Sequence, residues 1–387
     1  MKIVSVNVHY QDHLGYQDYY LGKEWVKMGH EVHYVASDVH FDYPDYDNTV
    51  KHLIGDKYIG TGIFYNDFNT PVHRLKGTDK KLTGFIWLKG FKKKLLELKP
   101  DILVLHGIFN YQTIRALFFA DELNCRVIMD DHTAAFFLRK SKKAEFAYWL
   151  FRTLFAKKIH RVADKLIGIT PSAIDVMKEK FGLSGDKVCL VILGSDTDLF
   201  RKSDELRSKG RDYFEVEEDE ILVLYTGKIY PEKKVHLIID ALNDPGVSGG
   251  KKVVIGVVGG MDAGYKALLN EKIATSACRV IIKPAVTQEV LPMLYNAADV
   301  CVWPDSLTTS TIDASACGCP IICSNNMPER TSYNNGILIE GGNLEQLKAA
   351  LKKLIADPGL RKEMGDRGVK YVIEKLSWEI IARQFLD

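Results

Sequence analysis

This chain of 387 residues contains two blocks, and in each of them short apolar runs alternate with helical patterns. The first block opens with the β-rich run 2–8, and the second opens with the apolar run 221–226. Strands that alternate with helices predict a parallel sheet, whose ligands lie at the carboxyl ends of the strands. The polar segment 201–219 separates the two blocks and suits a connection between domains. The sequence therefore predicts an α/β protein with two domains of similar size.

The composition is typical of a globular protein with little net charge. Lys+Arg 52 nearly balance Asp+Glu 50, so a nucleic-acid-binding protein is not favoured. Seven cysteines, an odd number, argue against a disulfide framework and for a reducing compartment. No apolar run reaches membrane-spanning length, and the N-terminal pattern indicates a strand rather than a signal peptide. We expect a cytoplasmic protein.

The segment 299–323 carries the strongest functional signal. An apolar run predicts a buried strand, a polar loop follows at 305–310, and small residues then suit a closely packed helix. Free N–H groups and the positive helix end at such a turn bind anions. Asp305 and Asp313 flank the loop and cannot bind phosphate, so we expect them to serve hydroxyl groups of the same ligand. A sugar nucleotide fits this pattern; an ordinary strand–helix unit with two surface aspartates is the alternative.

A second signal follows the predicted strand 221–226. Gly227 allows a ligand to approach the backbone, and Lys228 and Lys233, five positions apart, can bracket a diphosphate. A solvated lysine-rich turn is the alternative. Transfer from a sugar nucleotide leaves negative charge on the departing diphosphate, which preorganised cations and N–H groups stabilise. We expect both lysines and the N–H groups of 306–309 to do this without a metal ion.

The segment 299–323 resembles the donor-site motif of glycosyltransferase family 4, a family of retaining enzymes with the GT-B fold. The family pattern is Glu, seven residues, Glu, then Ala, a small residue, Ala or similar, Gly, any residue and Pro. Asp305, Asp313 and the segment 314–320 stand at those places. Both glutamates are replaced by aspartate, which is one methylene shorter.

Two further segments resemble the same family. The family has Gly-Arg and then a Lys five residues after the Arg, where this chain has Lys228 and Lys233. Lysine keeps the charge of arginine but loses its bidentate fork. The family's Asn-Gly-Val-Asp stretch with a following Phe is matched at Gly194, Asp196 and Phe200.

The resemblance implies roles for individual residues. Asp313 is implied to bind ribose hydroxyls, and Asp305 to contact the donor sugar and steady charge at the reacting carbon. His132 matches a family histidine that contacts the donor sugar, and Asp131 could orient it; a histidine hydrogen-bonded in a sheet-end turn is the alternative. Gly15 stands in the first strand–helix loop, near the diphosphate in the family. The predicted nucleotide-sugar-binding set also includes Gly227, Lys228, Lys233, Ser306, Leu307, Thr308 and Thr309.

The resemblance also implies an architecture of two facing Rossmann-like domains with parallel sheets. Residues 1–200 would form the acceptor-side domain, 201–374 the nucleotide-sugar-binding domain, and 375–387 a helix returning to the first domain. Retention of anomeric configuration and metal independence, with no cofactor, are further implications. Polysaccharide or glycolipid assembly is the setting that the family suggests.

The sequence predicts helices over 85–98 and 134–165. Within them, the stretches 85–94 and 136–161 of the first predicted domain mix basic and aromatic residues. Amphipathic stretches of this kind suit an anionic membrane surface. A core helix with one charged face is the alternative. The hypothesis is an enzyme that sits peripherally on the inner membrane face and glycosylates a lipid-linked acceptor.

Together these features predict a glycosyltransferase that moves a sugar from a nucleotide-sugar donor, a UDP-sugar being favoured, to a carbohydrate or lipid-linked acceptor. Two other functions stay open. A sugar-nucleotide epimerase of similar architecture would need additional acid and base groups around the sugar. A non-catalytic nucleotide-sugar-binding subunit is suggested by the two Glu-to-Asp departures.

Overall fold

The structure, a computed structural model, describes residues 1–12, 15–43, 46–78, 86–133, 138, 141–305 and 308–387. The chain divides into two compact units. The first contains Met1–Tyr46, Ile54–Leu193 and Ile381–Asp387, and the second contains Asp47–Leu53 and Gly194–Ile380.

The first sheet lies in the first unit. The elements up to residue 193 are β1 Lys2–Val6, α1 Gln17–Lys27, β2 Glu31–Ser37, α2 Tyr46–Thr49, α3 Lys51–Ile54, β3 Gly62–Tyr65, β4 Pro71–Leu75, α4 Phe91–Leu98, β5 Ile102–His106, α5 Tyr111–Ala116, α6 Ala120–Leu123, β6 Arg126–Asp131, α7 Lys142–Val162, β7 Lys165–Gly168, α8 Pro171–Glu179 and β8 Val188–Leu190. The strands are ordered β3-β4-β2-β1-β5-β6-β7-β8. Neighbouring strands pair in parallel except β3 and β4.

The second sheet lies in the second unit and is parallel throughout. The elements after residue 193 are α9 Asp204–Tyr213, β9 Ile221–Thr226, α10 His236–Leu242, α11 Pro245–Ser248, β10 Val253–Val258, α12 Ala263–Ala274, β11 Arg279–Lys283, α13 Leu291–Ala297, β12 Val300–Trp303, α14 Ser310–Ala316, β13 Ile321–Ser324, β14 Gly336–Ile339, α15 Leu344–Ala356, α16 Pro358–Tyr371 and α17 Trp378–Leu386. The strands are ordered β11-β10-β9-β12-β13-β14.

The centre of the second sheet is fully covered. Every residue of β9, β10 and β12 is buried, as expected of parallel strands packed on both faces. Trp303, at the end of β12, donates its indole N–H to the carbonyl of Thr226 at the end of β9, at 2.8 Å. The loops that follow these two strands therefore leave the sheet side by side.

Two helices of the first unit begin later than the sequence predicted. The predicted helix 85–98 is wrong at its start: α4 begins at Phe91, because Gly90 takes a left-handed conformation with φ 77°. The predicted helix 134–165 begins at Lys142 in the structure, where the Ser141 side chain accepts a hydrogen bond from Ala144 N. Residues 134–137 and 139–140 lie outside the described residues, as does Phe85.

The polar segment 201–219 contains α9, a packed helix, where the sequence predicted a connection. A Cβ atom at Gly210 would collide with the backbone of Met293 in α13. Arg211 is buried and bonds to Asp299 at 3.2 Å. The charged sequence concealed this helix because α9 buries only Gly210 and Arg211 and therefore carries little apolar pattern.

The C-terminal residues 381–387 belong to the first unit. The carbonyl of Ala382 accepts a hydrogen bond from the indole N–H of Trp25 at 3.1 Å. Phe385 is fully buried and lies edge-on to Trp25. The end of α17 thus packs in the first unit.

Candidate active site

The turn after β9 is fixed to the sheet at Gly227. This residue has φ 128°, a conformation that favours glycine, and its N–H donates to Val258 O at 3.0 Å. A Cβ atom at Gly259, after β10, would collide with the Gly227 carbonyl. Tyr225 donates its hydroxyl to the carbonyl of Lys228 at 2.7 Å. The sheet therefore sets where the Lys228 side chain begins.

The two lysines predicted to bracket a diphosphate lie near each other. Lys233 closes the 3-10 turn Pro231–Lys233. Partial loss of water around the ammonium groups lowers the pKa of Lys228 and of Lys233. The charge of Lys228 lowers the pKa of Lys233 further, whereas Asp305 opposes this. The structure thus brings two repelling cations and one predicted carboxylate into electrostatic range, and an anionic ligand would relieve the repulsion.

Asp305 is engaged by a residue that the sequence did not single out. Its Oδ2 lies 2.9 Å from Nζ of Lys234. Lys234 has φ 50°, a left-handed conformation that is uncommon for lysine. Added Cβ atoms at Gly341 and Gly342 would press on the Asp305 carboxylate and collide with the Lys234 ammonium. The strained backbone of Lys234 thus accompanies its ion pair with Asp305. Strain of this kind clusters at functional sites.

Asp313, the second predicted carboxylate, lies inside α14 and is 7% exposed. Its Oδ1 accepts a hydrogen bond of 2.6 Å from the hydroxyl of Ser195. Burial raises the pKa of Asp313 to about 7; Ser195 and Arg330 oppose this rise, and Asp196 adds to it. The carboxylate therefore titrates near neutrality.

The loop between the two aspartates is described only in part. Ser306 and Leu307 lie outside the described residues. Thr308 accepts a hydrogen bond from the N–H of Ser310 at 3.2 Å, and its hydroxyl lies 3.0 Å from the Ser310 hydroxyl. Thr309 precedes α14 without capping it through its side chain. The N–H of Ser310, at the start of α14, is thus already hydrogen-bonded to the Thr308 hydroxyl.

His132 lies in the first unit, just after β6. Its side chain is 46% exposed, and its Nε2 lies 3.5 Å from Oδ2 of the buried Asp130. Asp131, which the sequence suggested as the orienting residue, accepts backbone N–H groups of Ile108 and Thr133 instead. The structure corrects that suggestion to Asp130, because residues two apart along a strand share a face.

Asp130 is the centre of a buried polar network. It accepts hydrogen bonds from Gln17 at 2.7 Å and pairs with Nδ1 of His106 at 2.8 Å. The hydroxyl of Ser5 lies 2.9 Å from the other ring nitrogen of His106. Burial would raise the pKa of Asp130, but His106 and His132 hold it below its usual range. Burial would likewise lower the pKa of His106, but Asp130 raises it.

His106, Asp130 and His132 also form a group that could hold a metal ion, since one ligand atom from each lies within 4.8 Å of the others. Within this group, Ser5 is hydrogen-bonded to His106 and Gln17 to Asp130. Gly15 lies in the same unit, before α1, with φ 65°.

Two family models match the chain. "Glycosyltransferase Family 4" matches residues 19–199, and "Glycosyl transferases group 1" matches residues 207–371. Among similar curated proteins, the D-inositol 3-phosphate glycosyltransferase of Streptomyces bingchenggensis is 29% identical over 253 residues, which cover 61% of this chain and 54% of that protein. The enzyme of the same name from Thermomonospora curvata is 27% identical over 256 residues, covering 61% and 59%. The chain thus spans little more than half the length of these relatives.

Solved structures with the same fold include sucrose-phosphate synthase from Thermosynechococcus elongatus, with a TM-score of 0.71 and 19% identity over 99% of this chain and 96% of that one. Anabaena Alr3699/HepE in complex with UDP and glucose has a TM-score of 0.69 and 15% identity over 100% and 98%. The two Rossmann-like sheets, parallel except at β3, are those of the GT-B fold. The motif, the fold and the two family models together show that the chain belongs to the family-4 glycosyltransferases.

Proposed function

We propose that this glycosyltransferase uses a nucleotide-sugar donor, a UDP-sugar being favoured, and transfers the sugar with retention to a carbohydrate or lipid-linked acceptor. Cell-surface polysaccharide or glycolipid assembly is the proposed setting. The observation that carries the donor site is the pair of repelling ammonium groups of Lys228 and Lys233 beside Asp305. The HepE structures with UDP and with UDP-glucose support a uridine nucleotide.

The proposed chemistry breaks the bond between the anomeric carbon and the diphosphate oxygen. Lys228 and Lys233 stabilise the negative charge that develops on the leaving diphosphate, the largest single contribution in such reactions. Asp313 accepts hydrogen bonds from the ribose hydroxyls. Asp305, held by Lys234, contacts the donor sugar. The contact with the donor sugar that the resemblance implies for His132 stays a prediction. The leaving phosphate accepts the acceptor's proton in a front-face attack, so no metal ion is required.

A thermal-shift screen of UDP-, GDP-, ADP- and TDP-sugars, followed by calorimetry with the best ligand, tests the donor site. We expect a UDP-sugar to raise the melting temperature most. Lys228→Ala and Lys233→Ala should each weaken its binding by about 10- to 100-fold, since each removes a charge-assisted contact with phosphate. Lys252→Ala is the matched control, because Lys252 is exposed and pairs with Asp219 at 2.8 Å.

Two results would contradict this donor site: no stabilisation by any nucleotide sugar, or wild-type affinity in both lysine variants. Product analysis separates the remaining functions. Transfer requires an acceptor, epimerisation changes the donor without one, and a binding subunit leaves the donor intact with every acceptor supplied.

A lipid-linked acceptor at a membrane surface is proposed because exposed aromatic residues lie beside lysines in the first unit. Phe146 and Trp149 on α7 are 61% and 58% exposed and stack on each other. Phe118 is 65% exposed and lies under the Lys158 ammonium, 4.0 Å from ring centre to Nζ. Aromatic rings and cations on one surface suit the interface of an anionic bilayer. None of the described helices is long and apolar enough to cross a membrane.

A further inference from the structure

The long segment of the second unit begins at Gly194. Both backbone groups of the next residue, Ser195, are hydrogen-bonded. The N–H of Ser195 donates to Leu376 O at 2.8 Å, and its carbonyl accepts from Trp378 N at 3.1 Å. Ser195 is fully buried. Because both backbone groups are bonded to one neighbouring segment, the direction of the side chain is set by the fold.

The Ser195 hydroxyl reaches Oδ1 of Asp313 at 2.6 Å. The hydroxyl donates and the carboxylate accepts, so this bond favours the ionised form of Asp313. One carboxylate oxygen is thereby occupied, and Oδ2 keeps the lone pairs that remain for a ligand. A short buried side chain held by one fixed donor has little freedom to rotate.

The sequence at these two positions departs from the family pattern together. The pattern has Val where this chain has Ser195, and Glu where it has Asp313. Valine cannot donate a hydrogen bond to a carboxylate. The shorter carboxylate and the hydroxyl that holds it thus occur as a pair in this protein.

We propose that Ser195 is a positioning residue for donor binding, which fixes the Asp313 carboxylate so that Oδ2 accepts the vicinal hydroxyls of a ribonucleotide. This inference rests on the proposed function of the site. Its consequence is a preference for ribose over 2′-deoxyribose, because only ribose offers both hydroxyls.

Other charged groups around Asp313 also shift the pKa of its carboxyl. Asp196, on the segment of Ser195, disfavours its charge, and Arg330, in the turn Pro328–Thr331, favours it. Tyr295 on α13 and Cys317 after α14 also interact electrostatically with Asp313. Without the Ser195 hydroxyl, the balance shifts toward the protonated acid, which cannot accept as many hydrogen bonds.

The test compares Ser195→Thr with Ser195→Val, two side chains of nearly equal shape that differ in the hydroxyl. Calorimetry measures Kd for UDP-glucose, or for the nucleotide sugar that the wild type binds best, between pH 6 and 8.5. We expect Ser195→Thr to bind within about threefold of the wild type. Ser195→Val should bind about 10-fold more weakly at pH 7, and the midpoint of its pH dependence should move to higher pH. A merely structural role would not move that midpoint.

A double variant tests the pairing of the two positions. Ser195→Val combined with Asp313→Glu restores the family pattern, and we expect it to regain part of the affinity lost in Ser195→Val. Ser195→Ala introduces no added bulk and provides the same comparison if the β-branched variants do not fold.

Equal Kd and equal pH dependence in Ser195→Thr and Ser195→Val would overturn the inference while leaving the proposed function intact. Equal binding of UDP-glucose and its 2′-deoxy analogue by the wild type would also overturn it. Failure of the wild type to bind any nucleotide sugar would instead refute the proposed function itself.

Discussion

At the scale of single residues, Lys234 combines a strained left-handed backbone with an ion pair to Asp305. Lys234→Gly should relieve about 1 kcal/mol of left-handed strain, so the melting temperature should be unchanged or higher. UDP-glucose should bind several-fold more weakly because Asp305 loses its partner, whereas UDP without the sugar should bind normally. Thermal unfolding and calorimetry measure both quantities.

Glu215→Gly is the control for this prediction. Glu215 also has a left-handed backbone, with φ 51°, and no predicted role at the donor site. It should gain similar stability without any change in binding. Unchanged UDP-glucose affinity in Lys234→Gly would contradict a role for the ion pair at the sugar.

Asp313 makes the stability of the ligand-free protein depend on pH. Its pKa rises from an ordinary 3.8 to about 7 on folding, so between these values the folded state binds more protons than the unfolded one. The contribution of Asp313 to the free energy of unfolding is therefore complete below about pH 4. It is lost as the pH rises to about 7, because the buried carboxyl then ionises. Asp313→Asn should unfold at a higher denaturant concentration than the wild type. The difference in the free energy of unfolding between the two proteins should grow by at most about 3 kcal/mol between pH 5 and pH 8.

Asp219→Asn is the matched control for the titration, since Asp219 is exposed and should show no such trend. An Asp313→Asn advantage that stays constant from pH 5 to pH 8 would show that the carboxylate is not titrating near neutrality. The same variant should lose nucleotide-sugar binding, because an amide donates as well as accepts and carries no charge.

At the scale of elements, α7 is the helix expected to meet a membrane. Phe146→Ser with Trp149→Ser should reduce binding to vesicles of anionic phospholipid by about 10-fold or more, since each ring buries apolar area at the bilayer interface. Co-sedimentation at low salt provides the measurement. Ile373→Ser, which changes an apolar residue 58% exposed in the second unit, is the control. A wild type that fails to bind these vesicles would end the membrane hypothesis.

The strands were predicted more accurately than the helices, for a physical reason. β9, β10 and β12 are apolar runs because both faces of a central parallel strand are covered. The start of α4, by contrast, depends on the left-handed conformation of Gly90, which a glycine permits but does not require. The helix α9 was missed because its apolar content is low and its stability comes from pairing with groups distant in sequence, such as Asp299.

At the scale of the whole molecule, activity should not depend on a divalent metal. Transfer from the preferred donor should persist in excess EDTA, because in the proposed mechanism Lys228 and Lys233 supply the positive charge that a metal would otherwise provide. The anomeric proton coupling in the NMR spectrum of the first-formed product should match that of the donor. Loss of activity in EDTA that added Mg²⁺ or Mn²⁺ restores would contradict metal independence, and an inverted product would contradict retention.

The sequence by itself determined the fold class, the family and the loops that carry the candidate site. These follow from local causes: apolar runs form covered strands, glycines permit tight turns, and a motif has a fixed spacing along the chain. Asp305, Asp313, Lys228 and Lys233 could all be chosen on that basis.

Only the tertiary structure decided which partner holds each of these side chains. Ser195 is 118 positions from Asp313, and Asp305 takes its ammonium partner from the loop after a different strand. Asp130, rather than its neighbour Asp131, lies beside His132. Partners of this kind are set by which strands are adjacent and how closely their loops pack, and a one-dimensional pattern does not contain those distances.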